Sequence, residues 1–372
     1  MRRASLGLAV VALLSGVATA QAGPELVVDL SSGKVLIANG ATDLWHPASL
    51  TKLMTTYVAL KAIQEGRIRR ESPVVVSAQA AKAPPSRSGL RAGSRIGLED
   101  ALRVLMVKSA NDLAIAIAES IAGDVPAFVA RMNAESARLG LVASRWRNPH
   151  GLHDPGQVTT AKDMALLTAA LRHDFPSDGD LFRIHAVSLA GRTMVNHNHS
   201  VGRYPYADGM KTGFICASGF NVVTTANKDG RELVAIVLGE DAPMRRDAKA
   251  SLLLAAGFQI PAERSNSLLT QLSAPAKAPP SRSCGRHGLG EDTGDGGLST
   301  RSMESWVRSF AALPRELSDP IPIRLLGSEP ERAATREPKP AKAKPAPRKE
   351  IATAKPIVAP APEPKATAPR RF

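Results

Sequence analysis

Apolar residues along this chain repeat first with the period of strands, then of helices, then of strands again. ELVVD and KVLIA, within residues 25–38, alternate around Ser31-Ser32-Gly33 and predict a hairpin. Just after Pro47 the spacing becomes helical through Leu50, Leu53, Met54, Tyr57, Val58 and Leu60, running to about Gly66. VVVSAQAAK and GSRIGL are short extended pieces on either side of a basic, proline-containing loop. LEDALRVLMV, NDLAIAIAESIAG and VPAFVARMNAESARLG then predict three helices, with Gly123 and Gly140 as stops. RNPHGLHDPGQ reads as a turn-rich loop, and TTAKDMALLTAALRH as a further helix capped by Thr159 or Thr160.

Period two returns in HAVSLAGRTMVNH, DGMKTGFI, GFNVVTTAN and RELVAIVLG, with Asn227-Lys228-Asp229-Gly230 as a hairpin turn. RRDAKASLLLAAGF predicts a closing helix ending at Gly257. This order is satisfied by an antiparallel sheet assembled from both chain ends, with a helical insert between them. The expected organisation is a catalytic-type domain over residues 23–262. A linker-like region over 263–330 follows, with one short helix carrying Trp306, Val307, Phe310 and Leu313. Residues 331–372 form a Pro/Ala/Lys-rich tail that cannot bury enough apolar area to fold.

Composition changes this picture in two places. The 372 residues are 44% hydrophobic but only 4% aromatic, which points to an Ala/Val/Leu-packed interior. The net charge of +14 suggests an anionic partner, yet about half of it lies in the tail. The body shows no basic helix, zinc spacing or basic–aromatic interleaving, so nucleic acid is not the expected partner. Residues 1–22 read as a secretory signal: Arg2 and Arg3, the apolar run LGLAVVALLSGVA, then Ala18-Thr19-Ala20 or Ala20-Gln21-Ala22. Export to an envelope compartment is the expectation. Cys216 and Cys284 are the two cysteines, too few for a structural zinc cage. They are expected to stay unpaired because Cys284 lies in a stretch of linker composition, with Cys216 a small buried residue.

Candidate chemistry centres on Ser49 and Lys52, three residues apart at a helix start and therefore on one face. A serine hydroxyl needs an adjacent base, and lysine serves only if burial or cations lower its pKa from about 10.4. Ser31 and Lys34 share the spacing but fall in the hairpin turn, where no helix aligns them. Ser109-Ala110-Asn111 joins two helices, and Lys211-Thr212-Gly213 lies on a predicted strand. Ser-x-x-Lys, Ser-x-Asn and Lys-Thr-Gly are grouped in penicillin-binding proteins and class A β-lactamases, the middle motif there carrying Asp where this chain has Ala110.

HPASLTKLMT, KSANDLAIAIAE, NPHGLHDPGQVTTAKDMALL and DGMKTGFICASGFNVV together resemble the serine-type D-alanyl-D-alanine carboxypeptidases, or low-molecular-weight penicillin-binding proteins, over residues 24–260. The resemblance implies an α/β (α+β) architecture of the β-lactamase/transpeptidase-like fold: an antiparallel sheet with flanking helices and an α-helical subdomain. It also implies that Ser49 is the nucleophile, Lys52 its base and Ser109 a proton relay, while Asn111 holds the substrate amide. Lys211, Thr212 and Gly213 would bind substrate, with the N–H groups of Ser49 and Phe214 as oxyanion hole. Arg246 would bind the terminal carboxylate, with its neighbour Arg245 as the alternative. The implied substrate is the peptidoglycan pentapeptide and the implied inhibitors are β-lactams. No cofactor or metal is expected. The implied location is the periplasm, with the tail reaching anionic envelope polymers or the membrane surface.

Many such relatives carry a second β-rich domain and a C-terminal amphipathic helix, and residues 263–330 show neither strand alternation nor those motifs. Competing readings are a D,D-endopeptidase on cross-links, a β-lactamase, and a non-catalytic wall-binding protein. The β-lactamase reading lacks a glutamate in HGLHDPGQ to activate the deacylating water. The wall-binding reading leaves the complete motif set unexplained. His197-Asn198-His199 looks like a metal pair without a third ligand, and the overlapping Asn196-His197-Asn198 instead resembles an Asn-x-Asn turn of that family. His46, beside the nucleophile, is expected to make a loop contact.

Overall fold

The first strands of the described chain and strands from residues 211–240 meet in one sheet. The structure, a computed structural model, describes residues 23–273, 277–279 and 300–328. The signal-like segment, Cys284 and the basic tail lie outside the described residues. In chain order the strands are β1 (Glu25–Asp29), β2 (Lys34–Asn39), β3 (Pro73–Val75), β4 (Ser94–Gly97), β5 (Ala186–Leu189) and β6 (Arg192–Val195). They continue with β7 (Lys211–Ile215), β8 (Gly219–Lys228), β9 (Arg231–Glu240), β10 (Ile321–Pro322) and β11 (Leu325–Ser328). The helices are α1 (Thr51–Gln64), α2 (Leu98–Lys108), α3 (Asn111–Ala122), α4 (Val125–Arg138), α5 (Ala161–Asp174), α6 (Asp180–Arg183), α7 (Pro243–Gln259) and α8 (Thr300–Ala312).

The principal sheet has the order β2-β1-β9-β8-β7. Glu25 pairs with Val237 and Asp29 with Leu233, so the first strand closes against one of the last, antiparallel. β7 is left as an edge, paired on one side only, with Lys211 opposite Val223 and Gly213 opposite Asn221. That free edge is where the catalytic-type motifs converge. The expected antiparallel sheet with a helical insert is therefore present.

Helix α1 is buried all round from Thr51 to Leu60, which makes it the hub of the helical layer. Its polar side chains are satisfied internally: the Thr51 hydroxyl donates to Ala48 O at 2.8 Å, and that of Thr55 to Pro149 O at 2.6 Å. Thr160 is the cap of α5, accepting from Asp163 N at 3.0 Å.

Three expectations change. The hairpin β5–β6 leaves the main sheet and forms a small one with β10, because its short strands pair only with each other and a later segment. Helix α7 runs through Gly257 to Gln259. A Cβ there would lie 2.9 Å from Val27 Cγ1 and 3.0 Å from Leu233 Cδ1, so this glycine serves close helix–sheet packing. The stretch read as linker with one short helix contains α8 over residues 300–312, and also β10 and β11. α8 packs on α7, burying Met303 and Phe310, and the Trp306 indole donates to Ala248 O at 2.7 Å. β11 adds to β4, and the Ile323 N–H donates to Ser188 O at 2.8 Å. Strands this short bond through the backbone and need no alternating side chains, so period two could not reveal them.

Candidate active site

The nucleophile candidate sits on a single 3-10 turn, Ala48–Leu50, leading into α1. Ala48 adopts φ 48°, a left-handed conformation that favours glycine. What holds it is the segment before it. The Trp45 indole donates to Ser218 O at 2.9 Å, and His46 Nδ1 lies 3.0 Å from Gln157 O, the expected loop contact. The Asn221 amide donates to His46 O at 3.0 Å and to Pro47 O at 3.3 Å, while its oxygen accepts from Gly239 N at 2.9 Å. A wholly buried side chain on β8 thus fixes the entry to the 3-10 turn.

Lys52 is fully buried, one turn below Ser49. Its Nζ donates to Ser49 Oγ at 2.8 Å, to Asn111 Oδ1 at 2.8 Å and to His150 O at 2.5 Å. Burial drives its pKa well below the ordinary 10.5, with the nearby Lys211 cation acting the same way and Asp112 opposing. Asn111 starts α3, and its amide donates to Pro84 O at 3.0 Å, so its oxygen is aimed at the lysine. Ser109 caps α2 in the left-handed region, at φ 60°, and its buried hydroxyl has no hydrogen-bond partner among the described residues. Asp112 is held by Ser88, whose N–H and hydroxyl both donate to it.

Across the cleft, Lys211 is buried, donates to Thr212 O at 2.9 Å and is brought down to about 7 by burial and by Arg246. Gly213 is needed for the approach of β7: a Cβ there would stand 2.9 Å from Ser49 N and 3.0 Å from Pro47 O. The resemblance gave that glycine to the substrate's approach, and the geometry gives it first to the nucleophile's own backbone. Phe214 is 42% exposed and stacks on Phe220 with ring centroids 4.2 Å apart.

Arg246 is the arginine of the cleft. It forks onto Asp247 at 2.7 and 2.8 Å and reaches His197 O at 3.2 Å. Arg245 instead pairs with Glu240 at 3.2 Å. His199 donates to Asp247 through both its N–H and Nδ1, at 3.1 and 2.8 Å. The His197 ring is lowered to about 4 by desolvation and by the cations Lys211, Lys108 and Arg246. Because that ring is open to solvent at the cleft mouth, the cations are the firmer cause.

Ser49, Ser109, Asn111, Thr212, Gly213, Phe214 and Arg246 line one cavity of about 560 Å³, with Lys52 and Lys211 bonded beneath it. A larger cavity of about 700 Å³, near Arg70 and Arg183, holds none of these residues. Every candidate site residue read from the sequence is therefore in one place. Sequence reasoning missed the His150 carbonyl, Asn221 and the Asp247 knot. A backbone acceptor leaves no mark in residue type, and an Asn on a strand looks like any other. Cys216 is a correction: it is exposed at the β7–β8 turn and disulfide-bonded, not a buried free thiol. Linker composition around Cys284 gave no information on whether a tight turn such as this one would be cross-linked.

An antiparallel sheet whose free edge faces a Ser–Lys pair at a helix start, the lysine fully buried and the serine half-buried, is the arrangement of the transpeptidase-like fold. Residues 13–242 match the family model for D-alanyl-D-alanine carboxypeptidases, and the chain belongs to that family. It is 36% identical over 245 residues to D-alanyl-D-alanine carboxypeptidase DacD of Salmonella typhimurium, covering 64% of this chain and 63% of that protein. The chain spans less than two thirds of the length of the first curated relatives it matches. Penicillin binding protein 6B of Escherichia coli superposes with a TM-score of 0.61 at 36% identity, over 64% of this chain and 77% of that one. Penicillin-binding protein D2 of Listeria monocytogenes, solved in a cefotaxime-bound form, gives 0.58 at 25% identity, over 64% and 97%.

Proposed function

We propose that this chain is a D,D-carboxypeptidase, removing the terminal D-alanine from peptidoglycan pentapeptide stems through an acyl-serine that penicillins also form. The observation that carries this reading is Lys52 Nζ, buried and bonded at once to Ser49 Oγ and Asn111 Oδ1. With its pKa lowered by burial, Lys52 in its neutral form keeps N–H bonds to Asn111 Oδ1 and His150 O and turns its lone pair to the Ser49 hydroxyl, from which it accepts the proton. Ser49 Oγ attacks the carbonyl between the two D-alanines and passes its proton to Lys52. The C–N bond then breaks as D-alanine leaves, taking a proton through Ser109. Water later attacks the ester carbon, and Ser49 regains its proton as the acid departs.

Lys211 and Arg246 form the cationic side of the cleft and, with the Thr212 hydroxyl as a neutral donor, suit a terminal carboxylate. That carboxylate would raise the pKa of Lys211 again when bound. The Ser49 and Phe214 N–H groups serve the developing oxyanion. Asn111 orients Lys52 and the substrate amide together. Export through the signal-like residues 1–22, a periplasmic location and tail contacts with anionic polymers or membrane rest on the sequence pattern. The test is release of D-alanine from a D-Ala–D-Ala peptide, abolished by Ser49→Ala. A chain releasing no D-alanine contradicts the reading.

A further inference from the structure

Beyond the family-matched residues 13–242, a segment returns to the back of the cleft. Arg315, three residues past the end of α8, donates through Nη2 to Asn196 O and Asn198 O, each at 2.9 Å, and through Nε to Val201 O at 3.1 Å. Next to it, the Glu316 N–H donates to Gly202 O at 2.8 Å. A Cβ on Gly202 would sit 2.2 Å from Glu316 O, so the loop and the returning segment meet without space between them.

The loop so gripped is the one facing the carboxylate side of the site. Its His197 carbonyl accepts from Arg246, and its His199 bonds the same Asp247 that orients Arg246. The Asn198 amide donates to Gly209 O at 3.0 Å, two residues ahead of Lys211. One guanidinium therefore ties three carbonyls of a loop whose opposite face sets the direction of Arg246 and the start of β7. The planar fork of arginine suits this, since it holds several acceptors in fixed geometry. α8 anchors the segment, with Met303 and Phe310 buried against α7.

We infer that Arg315 is a positioning residue for the substrate carboxylate, acting through the 196–202 loop on Arg246; this rests on the carboxypeptidase reading above. Residues 300–328 are then a working part of the catalytic unit. Loss of this contact weakens binding of the carboxylate alone, so a serine reagent without a carboxylate separates the role from a general structural one.

The experiment uses the full chain as wild type, Arg315→Ala, Arg315→Lys and Gly202→Ala. Two readouts are compared: kcat and KM on a D-Ala–D-Ala peptide, and inactivation by a small phosphonofluoridate that modifies serine and carries no carboxylate. Arg315→Ala raises KM by roughly tenfold while kcat stays within about threefold, the split expected when ground-state binding is lost. Phosphonylation stays within about twofold, and Arg315→Lys, which keeps donors but not the fork, falls between. Gly202→Ala, which leaves Arg315 intact but displaces the segment, shifts KM in the same direction and supplies the answer if Arg315→Ala does not fold. Equal losses with both reagents, or no change in KM, overturn the inference. A wild type that reacts with the phosphonofluoridate but not the peptide brings down the carboxypeptidase reading as well.

Discussion

Replacing Gly213 by alanine tests how tightly the nucleophile and the substrate strand are fitted together. The added Cβ would stand 2.9 Å from Ser49 N, 3.0 Å from Pro47 O and 3.1 Å from Leu50 N, whereas ordinary contact begins at 3.4 Å. The two backbones must therefore separate by about 0.5 Å, the difference between 3.4 and 2.9 Å. No flexible side chain can give way, since all three obstructing atoms are backbone. Asn221 further pins the carbonyls of His46 and Pro47, so β7 yields rather than the 3-10 turn. Misplacement by 1 Å costs about 100-fold in rate, so half of it costs roughly tenfold. Overpacking adds a stability loss of about 1–3 kcal/mol. The assay is the second-order rate of acylation by a fluorescent penicillin, measured where urea melts show both proteins folded. Acylation within about twofold of wild type would refute the close fit.

Lys52→Arg keeps the charge but cannot offer a neutral amine, and acylation should fall by several orders of magnitude with the fold retained; a loss below about tenfold would remove Lys52 as the base. His150 is held near 3 by burial and by Lys52, well under its ordinary 6.5. A depressed histidine takes up its proton first in the unfolded chain, so stability present above pH 6.5 is lost as pH falls toward 3. Over that window the wild type should lose up to about 1.4 kcal/mol per pH unit more than His150→Gln, read from urea melts; equal slopes would contradict it. A chain ending at Ala262 forfeits the burial of Met303 and Phe310, about 1.5–3 kcal/mol each, and should melt well below a chain ending at Ser328; matching melts would show the returning segment idle.

The motifs were legible because they consist of side chains whose chemistry is unusual at their spacing. Ser49 and Lys52 meet because a helix puts positions three apart on one face, which sequence alone specifies. Asn111 and Lys211 could be placed only through a family resemblance, since 59 residues separate Asn111 from its bond to Lys52. The sheet followed from alternation at both chain ends. What stayed hidden is carried by backbone atoms and by long-range docking. The His150 carbonyl, the three carbonyls under Arg315 and the two-residue strand β10 leave no periodicity behind. Gly257 looked like a helix stop because a glycine that permits close packing and one that ends a helix are the same letter.

The central claim is that Ser49, activated by Lys52, becomes acylated. It is tested most directly by peptide mass spectrometry of the protein after exposure to benzylpenicillin. The account predicts one stable penicilloyl addition, on the peptide containing Ser49, and none in Ser49→Ala. An adduct on Ser31 or Ser109, or no adduct at all, would contradict it.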